Sequence, residues 1–349
     1  MRTATALQLT VSLALLTLGR SDFAPPLINI SLDEPPEDRW LPLRNHFNDT
    51  DYQSLISNII DTTVPKFVHH AVIPIAAALE KYIPQPYAGE ILGLSKIFEV
   101  NIGDVILLNL AYEITAFCTS IVAQDTKGNL YHGRNLDYPH VDILRNFTVD
   151  VQFLKNGQVA YKGTTFAGFI GLWTGQSAKK FTVSGNERAH GHWWENAIAA
   201  FLLRNFPVSW LLRQTLEEAV DFQDAVVKLS KIPIIADVYY IVAGVHPKEG
   251  VVVTRNRESA ADIWFMNPLA GVWYLVETNY DHWKKPPPHD DRRTPAMKQL
   301  NITGQSNINF DTLYQALSVK PTLNSITVYT TTMSAAMPDM YQTQVREVT

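Results

Sequence analysis

The stretch FCTSIVAQDTKGNLYHGRNLDYP, residues 117–139, contains two short runs of strand-forming residues separated by a turn. Residues 119–125 and 130–135 are the two runs, and the Asp-Thr-Lys-Gly-Asn segment at their junction is typical of a hairpin. Cys118 directly precedes the first run. The pattern therefore predicts a β-hairpin in which Cys118 is the first residue of the first strand.

The chain changes character at this hairpin. Before it, residues 50–116 place apolar side chains at helical spacing, with breaks predicted at Pro65, Pro84 and Pro86. After it, strand-like runs alternate with turns, and one helical block extends over residues 193–228 with a bend or break at Pro207. This order predicts an α+β fold, with a helical region leading into a core of antiparallel sheets. The further predicted strands are residues 148–154, 159–166, 180–183, 237–242, 250–255 and 272–277.

Cys118 is the only cysteine among 349 residues, so it can form no disulfide within the chain. Cleavage of the Phe117–Cys118 peptide bond would place a new α-amino group beside the thiol. Such an amine has a pKa of about 7.7–8.0 and can act as a base, which a backbone amide cannot. One residue would then supply both nucleophile and base. The alternative is a buried cysteine that packs as a small apolar residue.

Arg134 and Asp137 lie at the end of the second predicted strand, so the hairpin brings them back beside Cys118. A guanidinium near the thiol favours the thiolate and keeps a neighbouring amine neutral. A carboxylate can hold the ammonium or relay its proton. A structural Arg–Asp pair at a strand end has the same local spacing and remains an alternative.

The hairpin resembles the self-cleavage site and active-site hairpin of the acid ceramidase group of N-terminal nucleophile hydrolases. The similarity continues in the same order through VDVQFLKNGQ (149–158), TTFAGFIGLWTGQS (164–177), FTVSGNER (181–188), IADVYYIVAG (235–244) and VETNYDHW (276–283). The resemblance implies an αββα sandwich of antiparallel sheets. It also implies two chains after cleavage, a helical alpha subunit of residues 21–117 and a beta subunit of residues 118–349 that carries the catalytic core.

The resemblance assigns a nucleophile, two charged residues beside it and a residue that supports the oxyanion. In that order, these catalytic residues are Cys118, Arg134, Asp137 and Asn279. From the local sequence alone, Asn279 is equally compatible with a residue that caps a turn.

The resemblance places two polar residues, Glu187 and Arg292, in the substrate pocket. Trp173 lies in an apolar segment rich in glycine, which would shape a channel for an acyl chain. Each residue has a structural alternative: a solvated loop acid for Glu187, an exposed charged run for Arg292 and core packing for Trp173.

The activity that the resemblance implies is hydrolysis of the amide bond between a fatty acid and ethanolamine, with the palmitoyl amide preferred, through a thioester on Cys118. The chain would first cleave itself at Phe117–Cys118 in the acid of the lysosome. Since there is one cysteine, the two subunits would associate noncovalently, and no cofactor is implied. Two alternatives stay open: hydrolysis of N-acylsphingosines, and a secreted lipid-binding protein without catalysis.

Residues 1–20 are predicted to form a signal peptide, because Arg2 precedes an apolar run that is too short to span a bilayer. Four N-x-S/T sequences support a secretory route, and their glycosylation requires exposed side chains. Their asparagines are Asn29, Asn48, Asn146 and Asn301.

Two apolar segments, residues 67–79 and 193–211, fit either helices that lie in a membrane surface or helices that pack in the core. The formal net charge of −5 gives no indication of a nucleic-acid surface. Protonation of all ten histidines would make the secreted protein cationic, so we expect anionic lipid to attract it in acid. The histidines at 69–70 and at 190 and 192 lack a spacing such as H-E-x-x-H, so no metal site is predicted.

Overall fold

Two β-sheets lie face to face in the computed structural model, which describes residues 21–63, 66–111, 113, 117–188 and 204–348. Helices pack on the outer face of each sheet. The predicted α+β fold and its αββα layers are therefore confirmed.

The described part of the chain alternates strands with helices. The strands are β1 Leu27–Ser31, β2 Phe117–Gln124, β3 Leu130–Asp137, β4 Thr148–Lys155, β5 Gln158–Phe166, β6 Thr174–Ser177, β7 Phe181–Glu187, β8 Val238–Ala243, β9 Gly250–Arg255, β10 Ala260–Phe265, β11 Tyr274–Glu277, β12 Thr327–Met333 and β13 Gln342–Val345. The helices are α1 Asp49–Thr63, α2 Lys66–Ala77, α3 Leu79–Tyr82, α4 Tyr87–Ile97, α5 Ile102–Ala111, α6 Val141–Phe147, α7 Val208–Glu218, α8 Phe222–Lys231, α9 Arg293–Thr303 and α10 Phe310–Ser318.

The larger sheet has the order β1-β4-β5-β6-β7-β8-β9-β10, and the smaller sheet has the order β11-β2-β3-β12-β13. Neighbouring strands are antiparallel except β1 and β4, which are parallel. The hairpin of β2 and β3 contacts β7 and β8 of the larger sheet. The start of β2 is therefore enclosed between the two sheets.

Strand β1 corrects two predictions about the amino-terminal region. Residues 21–117 are not purely helical, and Cys118 is the second residue of the second strand rather than the first residue of the first strand. The strand was missed because it is short, buries only Ile28 and Ile30, and pairs with a strand far along the chain. Its pairing is set by tertiary structure and not by a local turn.

Prolines separate helices where the sequence predicted breaks. Pro84 and Pro86 lie between α3 and α4, and Pro207 directly precedes α7. The helical block breaks again before α8, where the Asp221 carboxylate accepts a 2.8 Å hydrogen bond from a backbone amide of the first turn. Residues 193–203 of the predicted block lie outside the described residues. Among the described helices, none is long and apolar enough to cross a bilayer.

The asparagines of the four predicted glycosylation sites lie on the surface. Asn29, Asn48, Asn146 and Asn301 are all exposed, as glycosylation requires. Their modification stays a prediction.

A buried charged cluster joins the amino-terminal helices to the rest of the chain. Glu90 on α4 accepts two hydrogen bonds from Arg213 on α7, at 2.5 and 2.6 Å, and one from Trp40 Nε1 at 2.8 Å. The Arg213 guanidinium also lies over the Phe153 ring, 4.6 Å from its centroid. Because both charged side chains are buried and hydrogen-bonded, the two regions share one core.

Replacing Glu90 with glutamine leaves the buried Arg213 charge without its counter-charge. We expect Glu90→Gln to lower the free energy of unfolding by about 3–5 kcal/mol, measured by urea unfolding with tryptophan fluorescence. The control is Glu218→Gln, because Glu218 and Lys228 form a partly exposed pair 3.7 Å apart. That pair should contribute about 1 kcal/mol or less, so equal losses would contradict the role of the buried cluster.

Candidate active site

The β2–β3 hairpin determines which residues surround Cys118. Its turn is closed by the Asp125 carboxylate, which accepts hydrogen bonds from two backbone amides at 2.8 and 2.9 Å. Gly128 in the same turn has a φ of +93°, which favours glycine. The register pairs Cys118 with Leu136 and so brings the charged end of β3 beside the start of β2.

A guanidinium contacts the sulfur of Cys118, whose side chain is fully buried. Arg134 Nη2 donates a hydrogen bond to Sγ, while Nη1 donates to the carbonyl of Trp173 at 2.7 Å and to Thr174 Oγ1 at 2.8 Å. These acceptors hold the guanidinium in one orientation, so its positive charge stays beside the sulfur. Arg134 thus lies where the hairpin spacing predicted it.

Two residues far along the sequence hold the main chain of Cys118. Its N–H donates a 2.8 Å hydrogen bond to Asn279 Oδ1, and its carbonyl accepts one of 2.7 Å from Arg292 Nη1. Arg292 Nη2 donates to the same Asn279 oxygen at 2.7 Å, and Asp290 accepts from Nε at 2.7 Å. The alternative of an exposed Arg292 is wrong, because only 3% of it is exposed and these acceptors surround it.

Asp137 is linked to Cys118 through Arg292. Its carboxylate accepts hydrogen bonds from Thr327 Oγ1 at 2.7 Å and Asn324 Nδ2 at 2.9 Å, and lies 3.4 Å from Arg292 Nη1. Burial raises the pKa of Asp137, while Arg292 opposes that shift. Sequence reasoning missed Asn324 and Thr327, since no local pattern links them to a residue 187 or 190 positions away.

Asn279 and Glu187 meet at the end of β7. Asn279 Nδ2 donates a 2.7 Å hydrogen bond to the main-chain carbonyl of Glu187, so Asn279 bridges β2 and β7. The Glu187 side chain is half-buried, and burial raises the pKa of its carboxyl to about 8. This carboxyl is therefore neutral in acid and able to donate a hydrogen bond, unlike the solvated acid of the alternative.

Trp173 contributes its backbone to the site, since its carbonyl accepts the hydrogen bond from Arg134. Its ring is buried and packs over Gly185, where a Cβ atom would come within 2.6 Å of it. Glycine at this position therefore permits the close approach of strand and ring. The ring packs in the core, which agrees with the alternative interpretation of Trp173. Its contact with an acyl chain stays a prediction.

The thiol of Cys118 is neutral in the intact chain at physiological pH. Burial raises its pKa to about 11; Arg134 and Arg292 act to lower it, while Asp137 adds to the rise. The nitrogen of Cys118 is part of an intact peptide bond and so has no basic lone pair. The intact chain thus lacks the amine that would take the proton of the thiol.

A cavity of about 440 Å³ adjoins the Phe117–Cys118 bond. It is lined by Phe117, Asp137, Pro288, His289, Asp290, Asp291, Arg292, Pro321, Asn324 and Ile326. Phe117 is 41% exposed whereas Cys118 is fully buried. The bond therefore lies at the boundary between an open space and the core.

His132 on β3 corrects the expectation that every histidine becomes charged in acid. It is fully buried between the sheets, and burial lowers its pKa to about 3. Fewer than ten protonated histidines are therefore available for the predicted attraction to anionic lipid. In the part of the chain that the structure describes, no cluster of His, Cys, Asp and Glu could hold a metal ion. His190 and His192 lie outside that part.

We expect the thiol of the folded, intact chain to react very slowly with Ellman's reagent. A pKa of about 11 leaves about one thiol in 10⁴ ionised at pH 7, and the sulfur is buried. Absorbance at neutral pH measures the reaction, with intact mass confirming that the chain is uncleaved. The control is the same protein in guanidinium chloride, which should react at once; equally fast labelling of the folded chain would contradict the buried geometry.

Comparison with known proteins identifies the family. Residues 118–307 match the linear amide C–N hydrolases, choloylglycine hydrolase family. Residues 23–83 match the beta subunit of N-acylethanolamine-hydrolyzing acid amidase. That description uses the name beta for the part that we expected to be an alpha subunit, so we distinguish the two parts below by position.

The matches to three relatives cover most of the length of each relative. The chain is 58% identical to the N-acylethanolamine-hydrolyzing acid amidase of Oryctolagus cuniculus, over 92% of this chain and 90% of that protein. It is 36% identical to the acid ceramidase of Homo sapiens, over 88% of this chain and 83% of that protein. The solved structure of the Caenorhabditis elegans N-acylethanolamine-hydrolyzing acid amidase ortholog matches with a TM-score of 0.61 and 40% identity, over 66% of this chain and all of that chain.

These matches exclude the alternative of a lipid-binding protein without catalysis. Together with the arrangement around Cys118, they show that the chain belongs to the N-acylethanolamine-hydrolyzing acid amidases, within the choloylglycine hydrolase family of linear amide C–N hydrolases.

Proposed function

We propose that this chain hydrolyses the amide bond of N-acylethanolamines, with palmitoylethanolamide preferred, and releases a fatty acid and ethanolamine. The observation that carries the proposal is the environment of Cys118. Its buried thiol contacts Arg134, and its main-chain N–H donates a hydrogen bond to Asn279. The 58% identity to an N-acylethanolamine-hydrolyzing acid amidase supports the substrate class. N-acylsphingosines are the second candidate, because an acid ceramidase is 36% identical.

The first reaction in this proposal is cleavage of the chain's own Phe117–Cys118 bond in acid. Cys118 Sγ attacks the carbonyl carbon of Phe117 and its thiol proton passes to the peptide nitrogen. The C–N bond then breaks, which leaves a thioester and the new amine of Cys118. Water then hydrolyses the thioester and frees the carboxylate of Phe117. The exposure of Phe117 at the edge of the cavity supports this step, because water and the departing carboxylate both need open space.

The new amine serves as the base for the thiol. Its nitrogen starts 2.8 Å from Asn279 Oδ1, an acceptor that can hold one hydrogen of the amine. The positive charges of Arg134 and Arg292 favour a thiolate and a neutral amine. The proton of the thiol then moves to the amine of the same residue, which needs no rearrangement of the surrounding strands.

In turnover, the thiolate of Cys118 attacks the carbonyl carbon of the lipid amide and its oxygen becomes negative. Asn279 Nδ2 donates a hydrogen bond to this oxygen, and the ammonium of Cys118 gives its proton to the leaving nitrogen. Ethanolamine departs and leaves an acyl thioester. Water hydrolyses the thioester, releases the fatty acid and restores the thiol.

The two chains that cleavage produces, residues 21–117 and 118–349, stay associated in this proposal. The parallel pairing of β1 with β4 and the buried Glu90–Arg213 pair support this, because both link the two parts without a covalent bond. Glycosylation at the exposed asparagines and a lysosomal location follow from the predicted secretory route. Phe67, 58% exposed on α2, supports contact with a membrane surface.

Cys118→Ala removes both the nucleophile and the source of the base, so this variant should neither cleave its chain nor hydrolyse substrate. Intact mass and amino-terminal sequencing after incubation at about pH 4.5–5, below the ordinary histidine pKa, measure cleavage. Wild type should yield a chain that begins Cys-Thr-Ser and should hydrolyse palmitoylethanolamide faster than ceramide. Cleavage in the variant would refute the mechanism. A preference for ceramide would make N-acylsphingosines the substrates in place of N-acylethanolamines.

Asn279→Ala removes the donor to the oxyanion, so we expect kcat per cleaved molecule to fall about 10²–10³-fold. Hydrolysis of palmitoylethanolamide, normalised to the cleaved chain, measures the loss. Asn309→Ala is the control, since Asn309 caps α10 at the surface and its loss affects only stability, by about 1 kcal/mol. Unchanged kcat in Asn279→Ala would remove the residue from the mechanism.

A further inference from the structure

Asn186 on β7 is fully buried and binds the segment that leads to Asn279. Its Nδ2 donates hydrogen bonds to the main-chain carbonyls of Glu277 at 3.0 Å and Thr278 at 3.1 Å. These are the two residues directly before Asn279. Both amide hydrogens of Asn186 are therefore used to hold one short stretch of backbone.

We propose that Asn186 is a positioning residue for Asn279. It fixes the position of the oxyanion donor, Asn279 Nδ2, relative to the nucleophile, Cys118 Sγ. This inference rests on the role proposed for Asn279 in turnover. The next residue along β7, Glu187, holds the Asn279 side chain, because its carbonyl accepts from Nδ2 at 2.7 Å. Adjacent residues of one strand thus hold both the backbone that precedes Asn279 and its side chain.

A line of hydrogen bonds connects Asn186 to the strand of the nucleophile. Ser120 Oγ on β2 donates to Asn186 Oδ1 at 2.8 Å, and Ser184 Oγ donates to Ser120 Oγ at 2.8 Å. Ser120 lies two positions after Cys118, so both side chains lie on the same face of β2. Asn186 is therefore the link between the strand that carries the thiol and the segment that carries the oxyanion donor.

All the hydrogen bonds in this line are donated in the same direction, toward Asn186. A hydroxyl has one hydrogen, and that of Ser184 is given to Ser120, so Ser184 Oγ must accept from His132 Nε2 at 2.9 Å. His132 Nδ1 is then the acceptor and lies 2.9 Å from Thr182 Oγ1, whose single hydrogen also has the Ala243 carbonyl within 3.3 Å. Burial lowers the pKa of His132 to about 3, so it keeps this neutral form in acid. The arrangement is therefore the same at lysosomal and at neutral pH.

The need for a positioning residue follows from the distances involved in catalysis. An oxyanion donor acts from about 2.7–3.1 Å, and a displacement of about 1 Å can reduce the rate about 100-fold. Loss of the Asn186 side chain leaves two buried carbonyls without their donors, and the backbone before Asn279 then moves to find others. The effect should appear in the chemical step and not in substrate binding.

The experiment compares Asn186→Ala, Asn279→Ala and the double variant in the full chain. Two rates are measured for each: first-order cleavage of the chain in acid, and kcat and KM for palmitoylethanolamide per cleaved molecule. We expect Asn186→Ala to lower kcat about 10- to 100-fold with KM changed less than about threefold. The double variant should be no slower than Asn279→Ala alone, because Asn186 has nothing left to position. Where a variant cleaves too slowly for turnover to be measured, its first-order cleavage rate relative to wild type supplies this comparison.

Asn135→Ala is the matched control for lost stability. Asn135 Nδ2 also donates to two buried carbonyls, those of Leu317 at 2.8 Å and Thr322 at 3.1 Å, and its Oδ1 accepts from Thr330 Oγ1. The Asn135 side chain lies on the opposite face of the smaller sheet from Arg134. Asn135 binds the Thr322 main chain, whereas the Thr322 hydroxyl donates to the Arg292 carbonyl at 2.8 Å. We expect Asn135→Ala to lower Tm as much as Asn186→Ala and to leave kcat within about threefold of wild type.

Asn186→Asp adds a pH signature. Its carboxyl keeps the acceptor for Ser120 and, when protonated, regains one donor for the carbonyls. The ratio of its kcat to that of wild type should therefore be highest in acid and fall as pH rises through the pKa of the new carboxyl.

Three results would overturn the inference. The first is an unchanged kcat in Asn186→Ala, and the second is an equal fall of kcat in Asn135→Ala. The third is a double variant whose kcat lies below that of Asn279→Ala by the same factor as Asn186→Ala lies below wild type. A harmless Asn186→Ala beside a severe Asn279→Ala refutes the positioning role and leaves the proposed function intact. A harmless Asn279→Ala refutes its oxyanion role, and the positioning role with it. Cleavage and hydrolysis by Cys118→Ala would instead refute the proposed function.

Discussion

The hydrogen-bonded pairing of β2 with β3 is the constraint on which the site depends. Side chains of a strand alternate between faces, so a slip of one residue would carry Arg134 away from Cys118. The Asp125 and Gly128 turn prevents that slip, because the carboxylate binds the turn amides and the glycine adopts the required φ. Everything else around the thiol is arranged on this register.

Buried charges make the site rigid because each has its own acceptors or donors. Arg292 shows this most clearly, since one guanidinium contacts the Cys118 carbonyl, Asn279 and two aspartates. Removing charges from water is costly, and such groups persist only where hydrogen bonds replace the lost solvent. The Glu90–Arg213 pair follows the same rule away from the site and holds the amino-terminal helices on the sheets.

The difference in exposure between Phe117 and Cys118 fits the proposed cleavage of the bond between them. The nitrogen of Cys118 already lies on Asn279, and the sulfur already lies on Arg134, although burial keeps the thiol neutral. Cleavage would change the chemistry of one nitrogen while its acceptor stays in place. In the proposed cleavage, a fold formed around the intact bond would keep these contacts of Cys118 without large movement.

Local sequence patterns determined the hairpin, its turn, the charged end of β3 and the limits of β9, because alternation and turn residues act over a few positions. They missed β1, β6, β10 and β13, and also β12, although β12 is rich in the β-branched residues typical of strands. Only the tertiary structure decided that Asn324 and Thr327 bind Asp137 and that Asn186 binds the backbone before Asn279. The reason is physical: these contacts join residues from different strands and loops, so they depend on sheet order and packing, which no local spacing encodes.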